Sequence, residues 1–193
     1  NIVIEKATAT LNTDQFDENL FNFFLNTNDV TGHGEVKDGK VVLEVIGKAA
    51  HASTPYLGKN AALILFNYIG QAYNDQLSKE LYSLLWDWKG TPEAIDVNGV
   101  YMGFLTMNTG LVSIENGHTH VLVDIRYPND TNVETISKGF EQACLALDNR
   151  ITHSVAYAGD PLFVDPNSDL VQNLMAAYRK YSGDTFRPAI TLG

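Results

Sequence analysis

The first strand-like pattern in the chain is an alternation of apolar and polar positions over residues 2–11. Phenylalanines and leucines then recur at helical spacing from Phe16 to Phe24, and Asn12 and Gln15 form a cap-like pair ahead of them. These residues predict a strand followed by an amphipathic helix.

A hairpin and a second helix are predicted next. Asp38-Gly39 is a turn signal, and the β-branched run 41–46 supplies the return strand. Residues 59–72 are apolar on nearly every face, which predicts a deeply buried helix. The first third of the chain therefore follows the order β-α-β-β-α.

The strongest hairpin signal is Asn116-Gly117, between strand-like runs at 104–114 and 118–127. A capping box, Thr131 with Glu134, then begins an amphipathic helix. Because residues 151–158 also have a strand-like pattern, this half is predicted to follow the order β-β-α-β.

Two such units, each a small sheet with helices on one face, predict an α+β fold with two ferredoxin-like α/β sandwich halves. The halves share no repeated sequence, so the prediction concerns architecture alone. Residues 160–166 have the composition of a linker, and an amphipathic helix closed by Ser182-Gly183 follows them. Residues 189–192 begin a strand without a continuation, so the chain resembles an excised piece.

The charge balance limits the possible partners. The 193 residues carry a net charge of −10, which argues against binding nucleic acid or an anionic membrane surface. No apolar run reaches the roughly 18 residues that a membrane span needs. Cys144 is the only cysteine, so no intrachain disulfide is possible, and a reducing cytoplasm fits this composition.

The sequence offers few groups for catalysis. His51 lies in a loop of small residues between a strand and a helix, where a scaffold can hold a functional side chain. A lone histidine more often packs or caps locally. Arg126, near a strand end, could form a surface ion pair with Asp124 or with a glutamate. It could instead grip a carboxylate, such as the free C-terminus of a peptide, with its planar fork. Asn108 is expected to satisfy backbone groups at a strand irregularity.

No metal site is predicted within the chain. His118 and His120 share a face of a predicted strand and could chelate, but a solvated hairpin explains them better. His33 and His153 are isolated, and no motif with the spacing of zinc ligands is present.

Several segments resemble one family. The run from Gly47 to Pro55 (GKAAHASTP) resembles a signature of the co-catalytic di-zinc peptidases, a group that includes carboxypeptidase G, aminoacylase, succinyl-diaminopimelate desuccinylase and carnosinase. Residues 1–7, 102–110 and 124–128 are similar, in order, to segments of the PepV-type bacterial dipeptidases, although Ile4 replaces a usual proline. Residues 190–193 resemble the start of that family's glycine-rich turn.

This resemblance implies a lid domain over residues 1–159 and the truncated start of the C-terminal part of a catalytic domain over 160–193. In such enzymes His51 would stabilise the oxyanion, with help from Asn1, and Arg126 would hold the substrate carboxylate. Gly193, in the glycine-rich turn, would join the substrate site.

The implied partners are a short peptide substrate and the parent catalytic domain. That domain would hold two zinc ions and a catalytic glutamate outside this chain, so the chain alone would be inactive. The alternative is a free-standing ferredoxin-like ligand-binding or regulatory module without an enzymatic role. The oligomeric state stays open.

Overall fold

The protein is described by a computed structural model that covers residues 2–148, 150–185 and 187. Helices and small antiparallel sheets are mixed along the chain, which confirms the predicted α+β class. The elements are β1 (Lys6–Leu11), α1 (Glu18–Thr27), β2 (Thr31–Lys37), β3 (Lys40–Ile46), α2 (Ala61–Ala72), α3 (Gln76–Leu85), β4 (Asn98–Gly99), β5 (Gly103–Phe104), β6 (Thr106–Glu115), β7 (His118–Arg126), α4 (Val133–Leu147) and α5 (Asp169–Ser182).

The first unit is a three-stranded antiparallel sheet in the order β1-β3-β2. Alternate residues of the central strand, Val41, Leu43 and Val45, are fully buried and pack in one core with residues of α1 and α2, Phe21 and Tyr68 among them. The predicted order β-α-β-β-α is confirmed. The signals that predicted this order were a turn and a β-branched run. Both favour their local structure without contacts from distant residues.

Helix α2 belongs to both units of the protein. Leu65 and Tyr68 lie in the core of the first sheet, whereas Phe66 lies in a second core with residues of α3 and α4. A helix that packs on two sides needs apolar residues around most of its circumference. This double contact explains the apolar sequence over residues 59–72 and confirms its predicted burial.

The second unit is built on the hairpin of β6 and β7. Asn116 and Gly117 both have positive φ, at 52° and 78°, as a tight two-residue turn requires. A register shift between Thr109 and Leu111 places a bulge in β6. Met107 on one face of the hairpin, together with Leu105 just before β6, packs with residues of α4. The predicted hairpin is therefore confirmed.

Residues 151–158, all of which the structure describes, form no strand. The ring of His153 packs on Phe140 of α4 with centroids 5.6 Å apart, while Val155 and Tyr157 are exposed. Alternation of apolar residues reports contact on one side but does not supply a strand to pair with. Here α4 provides that contact. From β6 to residue 158 the observed order is therefore β-β-α, and the predicted last strand is absent from these described residues.

Two helices begin at residues other than the predicted caps. The Asp17 carboxylate accepts from the Leu20 N–H and starts α1, and Asn132 rather than Thr131 caps α4 by accepting from Thr135. The last helix ends as expected, because Gly183 has φ 71° and its N–H donates to Arg179.

Helix α5 has no buried residue, and Leu170, Leu174, Tyr178 and Tyr181 are all exposed. None of the helices in the described ranges has the length and apolar character of a bilayer span. The division of the chain at residue 159 stays a prediction.

One carboxyl group is buried within the second unit. Glu93 is 2% exposed, and neither carboxyl oxygen accepts a hydrogen bond from another described residue. It belongs to the loop 86–97, whose Trp88 carbonyl accepts from the N–H of Met107 in β6 and whose Val97 carbonyl accepts from the N–H of Leu105, just before β6. Burial raises the pKa of Glu93 to about 7, and the charge of Asp87 adds to this.

We expect Glu93 to make the free energy of unfolding fall as the pH rises from about 4.5 to 7. In this window the unfolded chain loses the proton that the folded chain keeps, because the pKa rises from 4.5 to about 7 on folding. In Glu93→Gln this dependence should disappear, so that the variant gains about 2–3 kcal/mol over the original protein between pH 5 and pH 8. Urea unfolding at both pH values measures it.

Glu141→Gln is the matched control, since Glu141 is an exposed residue of α4. Parallel pH profiles for the original protein and Glu93→Gln would contradict the expectation.

Candidate functional site

The His51 loop, residues 47–60, is closed at its base by main-chain hydrogen bonds. The N–H of Lys48 donates to Lys59 at 3.0 Å, and the N–H of Lys59 donates back at 2.8 Å. Gly47 lies so close that a Cβ there would be 2.1 Å from the Lys59 carbonyl oxygen. Only glycine therefore fits at this crossing without moving the loop.

The residues before β1 run along the His51 loop and fix its course. The Val3 N–H donates to the Ala50 carbonyl at 2.9 Å, and Ile2 forms an isolated antiparallel bridge with His51. Ala52, the next residue, is fully buried. Small residues in this part of the loop let the two segments approach each other, so the position of His51 follows from the main chain rather than from its side chain.

The His51 side chain is exposed, and its contacts define the position of the ring proton. The Ser53 N–H donates to Nδ1 at 3.2 Å, and the Ser53 hydroxyl lies 2.7 Å from the same nitrogen. A backbone N–H can only donate, so Nδ1 accepts and the neutral imidazole carries its proton on Nε2. The ring therefore offers an N–H donor on the side away from the loop.

Two side chains of β6 hold the main chain on both sides of His51. The Thr106 hydroxyl donates to the Ala52 carbonyl at 3.3 Å, and the Asn108 amide donates to the Ile2 carbonyl at 3.1 Å. Both side chains are buried, and they lie two residues apart on one face of the strand. The prediction that Asn108 satisfies a backbone group at a strand irregularity is confirmed. Its amide bonds the Ile2 carbonyl, and the bulge of β6 begins at the next residue.

Asn60 joins the end of the His51 loop to the same strand. Its side-chain oxygen accepts from the N–H groups of Ala62 and Leu63 and so caps α2. Its side-chain amide donates to the Thr109 carbonyl at 2.8 Å. The loop is therefore anchored to β6 at its far end as well as beside His51.

Arg126 lies directly opposite Thr106 in the register of β6 and β7, and Asp124 lies opposite Asn108. The Arg126 Nε donates to Asp124 Oδ1 at 2.7 Å and Nη2 donates to Oδ2 at 3.3 Å. The ion pair with Asp124, one of the alternatives that the sequence leaves open, is therefore present, with both carboxylate oxygens engaged. Side chains opposite each other share a face of the sheet, so these four residues form one polar surface beside the His51 loop.

Among the residues singled out from the sequence, Asn108 is linked to His51 through the Ile2 main chain, and Arg126 lies opposite Thr106, which bonds the residue after His51. The functional roles of His51 and Arg126 stay predictions. Asn1 and Gly193 lie outside the described residues, so their roles stay predictions. Thr106 was not predicted, and a threonine within a strand carries no signal that separates it from an ordinary strand residue.

The described residues do not form a metal site. Within residues 2–148, 150–185 and 187, no three His, Cys, Asp or Glu side chains are placed to hold one ion. His118 and His120 are exposed residues near the turn of the hairpin. The donors on the described surface therefore do not fit the ligand set of zinc.

Aromatic side chains flank the outer side of the His51 loop. Tyr56 packs on Trp88 with ring centroids 4.8 Å apart, and the Lys89 ammonium lies 4.5 Å from the Phe104 ring. A cavity of about 320 Å³, lined in part by Tyr56 and Trp86, opens between the loop, α3 and β6. The cavity lining combines these aromatic rings with polar side chains, among them Asn60 and Asn108.

Comparison with known proteins gives consistent results. The profile of a family described as a peptidase dimerisation domain matches residues 31–151. Proteins of Staphylococcus haemolyticus, Staphylococcus saprophyticus and Staphylococcus aureus strain MRSA252, each named "Putative dipeptidase", are 29%, 27% and 27% identical to the chain over 174, 197 and 175 residues. These alignments cover 87%, 97% and 87% of the chain, but only 37%, 42% and 37% of the relatives. The chain thus spans about two fifths of their length.

Gly47→Ala should destabilise the protein and displace the His51 loop, because the new Cβ would overlap the Lys59 carbonyl oxygen. We expect a loss of about 2 kcal/mol or more in the free energy of unfolding. Urea unfolding measures the loss, and amide hydrogen exchange at Lys48 and Lys59 reports opening of the base of the loop.

Gly110→Ala is the control, since its Cβ would meet no atom closer than 3.5 Å. Equal stability for the two variants would show that the close approach at Gly47 does not fix the loop.

Proposed function

This chain belongs to the peptidase dimerisation domain family, and we propose that it is the lid of a bacterial dipeptidase that hydrolyses short peptides. The observation that carries the proposal is the Nε2–H donor of His51 on a loop braced by β6. Arg126 lies on the strand next to that brace. An N–H donor and a guanidinium suit two acceptors of one substrate: a developing oxyanion and a terminal carboxylate.

His51 would donate from Nε2 to the carbonyl oxygen of the scissile bond as that oxygen gains negative charge. A donor stabilises a transition state best when it is already in place, because no reorganisation is then needed during the reaction. Hydrogen bonds from Ser53 hold the ring, while Thr106 and Asn108 hold the adjoining main chain. These contacts support the role that the family resemblance implies. The suggested assistance by Asn1 rests on that resemblance alone.

The register supports short substrates. Thr106 bonds the residue after His51 and lies opposite Arg126, at a Cα separation of about 5 Å for paired strands. Within a dipeptide, the scissile carbonyl and the free carboxylate are separated by one residue, or about 3.8 Å along the chain. This register is consistent with His51 and Arg126 binding the two groups of one dipeptide.

The remainder of the proposed enzyme lies outside the described residues. The two zinc ions implied by the resemblance would belong to the parent catalytic domain, because the described donors do not fit a metal site. Residues 160–193 would return the chain to that domain, and Gly193 would enter its substrate site. The exposed apolar side chains of α5, such as Leu170 and Leu174, suit such a contact.

Under this proposal the chain alone hydrolyses no peptide, and the parent acts in the cytoplasm, where the buried free thiol of Cys144 would stay reduced. The family description as a dimerisation domain supports contacts with a further domain or subunit. A free-standing regulatory module is less well supported, since the matched relatives are named as peptidases.

In the parent protein, His51→Ala should lower kcat by about 10²-fold or more, because the transition state loses an oxyanion donor. The content of bound metal should not change. Steady-state hydrolysis of an alanine-based dipeptide and metal analysis of the purified protein measure the two effects.

His33→Ala supplies the control, since His33 is an exposed histidine of β2. A kcat for His51→Ala within about threefold of the original would remove His51 from the reaction.

Arg126→Ala in the parent should chiefly raise KM for dipeptides with a free carboxylate, because the guanidinium would bind that group. The KM for the corresponding C-terminal amide should change much less. Kinetics on the matched pair of substrates measure the difference, and an equal loss on both would exclude the proposed role.

A further inference from the structure

The guanidinium of Arg126 is held along one edge by the carboxylate of Asp124. Both carboxylate oxygens take part, with Nε–Oδ1 and Nη2–Oδ2 distances of 2.7 and 3.3 Å. The pair is largely enclosed, since the Arg126 side chain is 29% exposed and the Asp124 side chain is 13% exposed. A two-point contact fixes both the plane of the guanidinium and the direction in which its end points.

The cross-strand neighbours fix Asp124 itself. It lies opposite Asn108, which is bonded to the Ile2 carbonyl, while Arg126 lies opposite Thr106, which is bonded to Ala52. The strand that holds the guanidinium is thus paired with the strand that holds the His51 loop. Movement of Asp124 relative to His51 would require the hairpin to deform.

From this arrangement we propose that Asp124 is a positioning residue, which orients Arg126 to receive the terminal carboxylate of a dipeptide. The inference rests on the proposed function and adds a residue to it. Asp124 would not touch the substrate, since its oxygens bind the guanidinium.

The physical reason lies in the flexibility of arginine. An unrestrained arginine side chain populates many rotamers, and part of this freedom is lost when it binds a carboxylate. An arginine that is already ordered loses less on binding, so the substrate binds more tightly. If Asp124 acted only by repelling the substrate carboxylate, its removal would tighten substrate binding, because more positive charge would then face that carboxylate. The two explanations therefore differ in sign.

The chain contains a matched pair for comparison. Asp148 and Arg150 have the same spacing of two residues, and the Arg150 Nε donates to Asp148 Oδ1 at 3.0 Å. Arg150 is 86% exposed and lies outside the strands, so its pair is not part of the β6–β7 register that holds Asp124 and Arg126. Asp148→Asn is accordingly the control for loss of an Asp–Arg pair.

The test is the kinetics of Asp124→Asn and Asp124→Ala in the parent, on a dipeptide and its C-terminal amide. We expect Asp124→Ala to raise KM for the free dipeptide by about tenfold, with kcat within about twofold. Asp124→Asn keeps one oxygen acceptor and should have a smaller effect. The KM for the amide and the kinetics of Asp148→Asn should not change.

A double-mutant cycle separates positioning from a general structural role. In an Arg126→Ala background, Asp124→Ala should cause no further rise in KM, because the group that it orients is gone. The Nε–H signal of Arg126 in NMR spectra should also be sharper in the original chain than in Asp124→Asn, where the side chain is less restrained. Asp124→Asn keeps the test informative if Asp124→Ala does not fold.

Each outcome decides a separate point. One outcome would overturn the positioning role alone: KM is unchanged or lower in both Asp124 variants, while Arg126→Ala still raises KM for the free dipeptide much more than for the amide. Equal losses on both substrates, or additive effects in the cycle, would show a structural role and overturn it too. If the parent hydrolyses neither substrate, or if Arg126→Ala raises KM equally for both, the proposed function fails. The role of Asp124 then fails with it.

Discussion

The arrangement of this protein depends on hydrogen bonds from β6 to main-chain carbonyls beside His51. Thr106 and Asn108 belong to the second unit, whereas Ile2 and Ala52 belong to the segments that border the first. Buried carbonyls need partners, so these bonds also limit how the two units pack. The position of the imidazole is thus a consequence of the way the units meet.

Local signals predicted much of the fold. The turn at Asn116-Gly117 and the run 41–46 depend on residues that are adjacent in the sequence, and both were predicted. The segment 151–158 was predicted wrongly because pairing depends on a partner strand, which alternation cannot reveal. The caps of α1 and α4 differ by a few residues for a related reason: several polar side chains near a helix start can accept the same N–H groups.

The candidate site likewise contains residues that local sequence predicts and residues that depend on distant contacts. His51 and Arg126 stood out because motifs mark them, whereas an ion pair of Arg126 with Asp124 was only one of the alternatives that the sequence left open. The bond from Thr106 to the His51 loop joins residues 54 positions apart, and no local pattern encodes it. Glu93 was overlooked because glutamate is normally a surface residue, and its burial depends on the path of the loop over β6.

The two units contribute different properties, and the candidate chemistry needs both. The first unit supplies a rigid frame, because β3 and α2 bury apolar side chains on a close-packed core. The second unit contributes two buried polar side chains, Thr106 and Asn108, and the partly buried Asp124–Arg126 pair. Buried polar groups are commonly retained where position matters more than stability, and here Thr106 and Asn108 both bond main chain beside His51. A donor and a cation on separate units can act on one small substrate only if the joint between the units is fixed. The polar face of the β6–β7 hairpin is therefore both the joint and the reason that the two groups keep a constant separation.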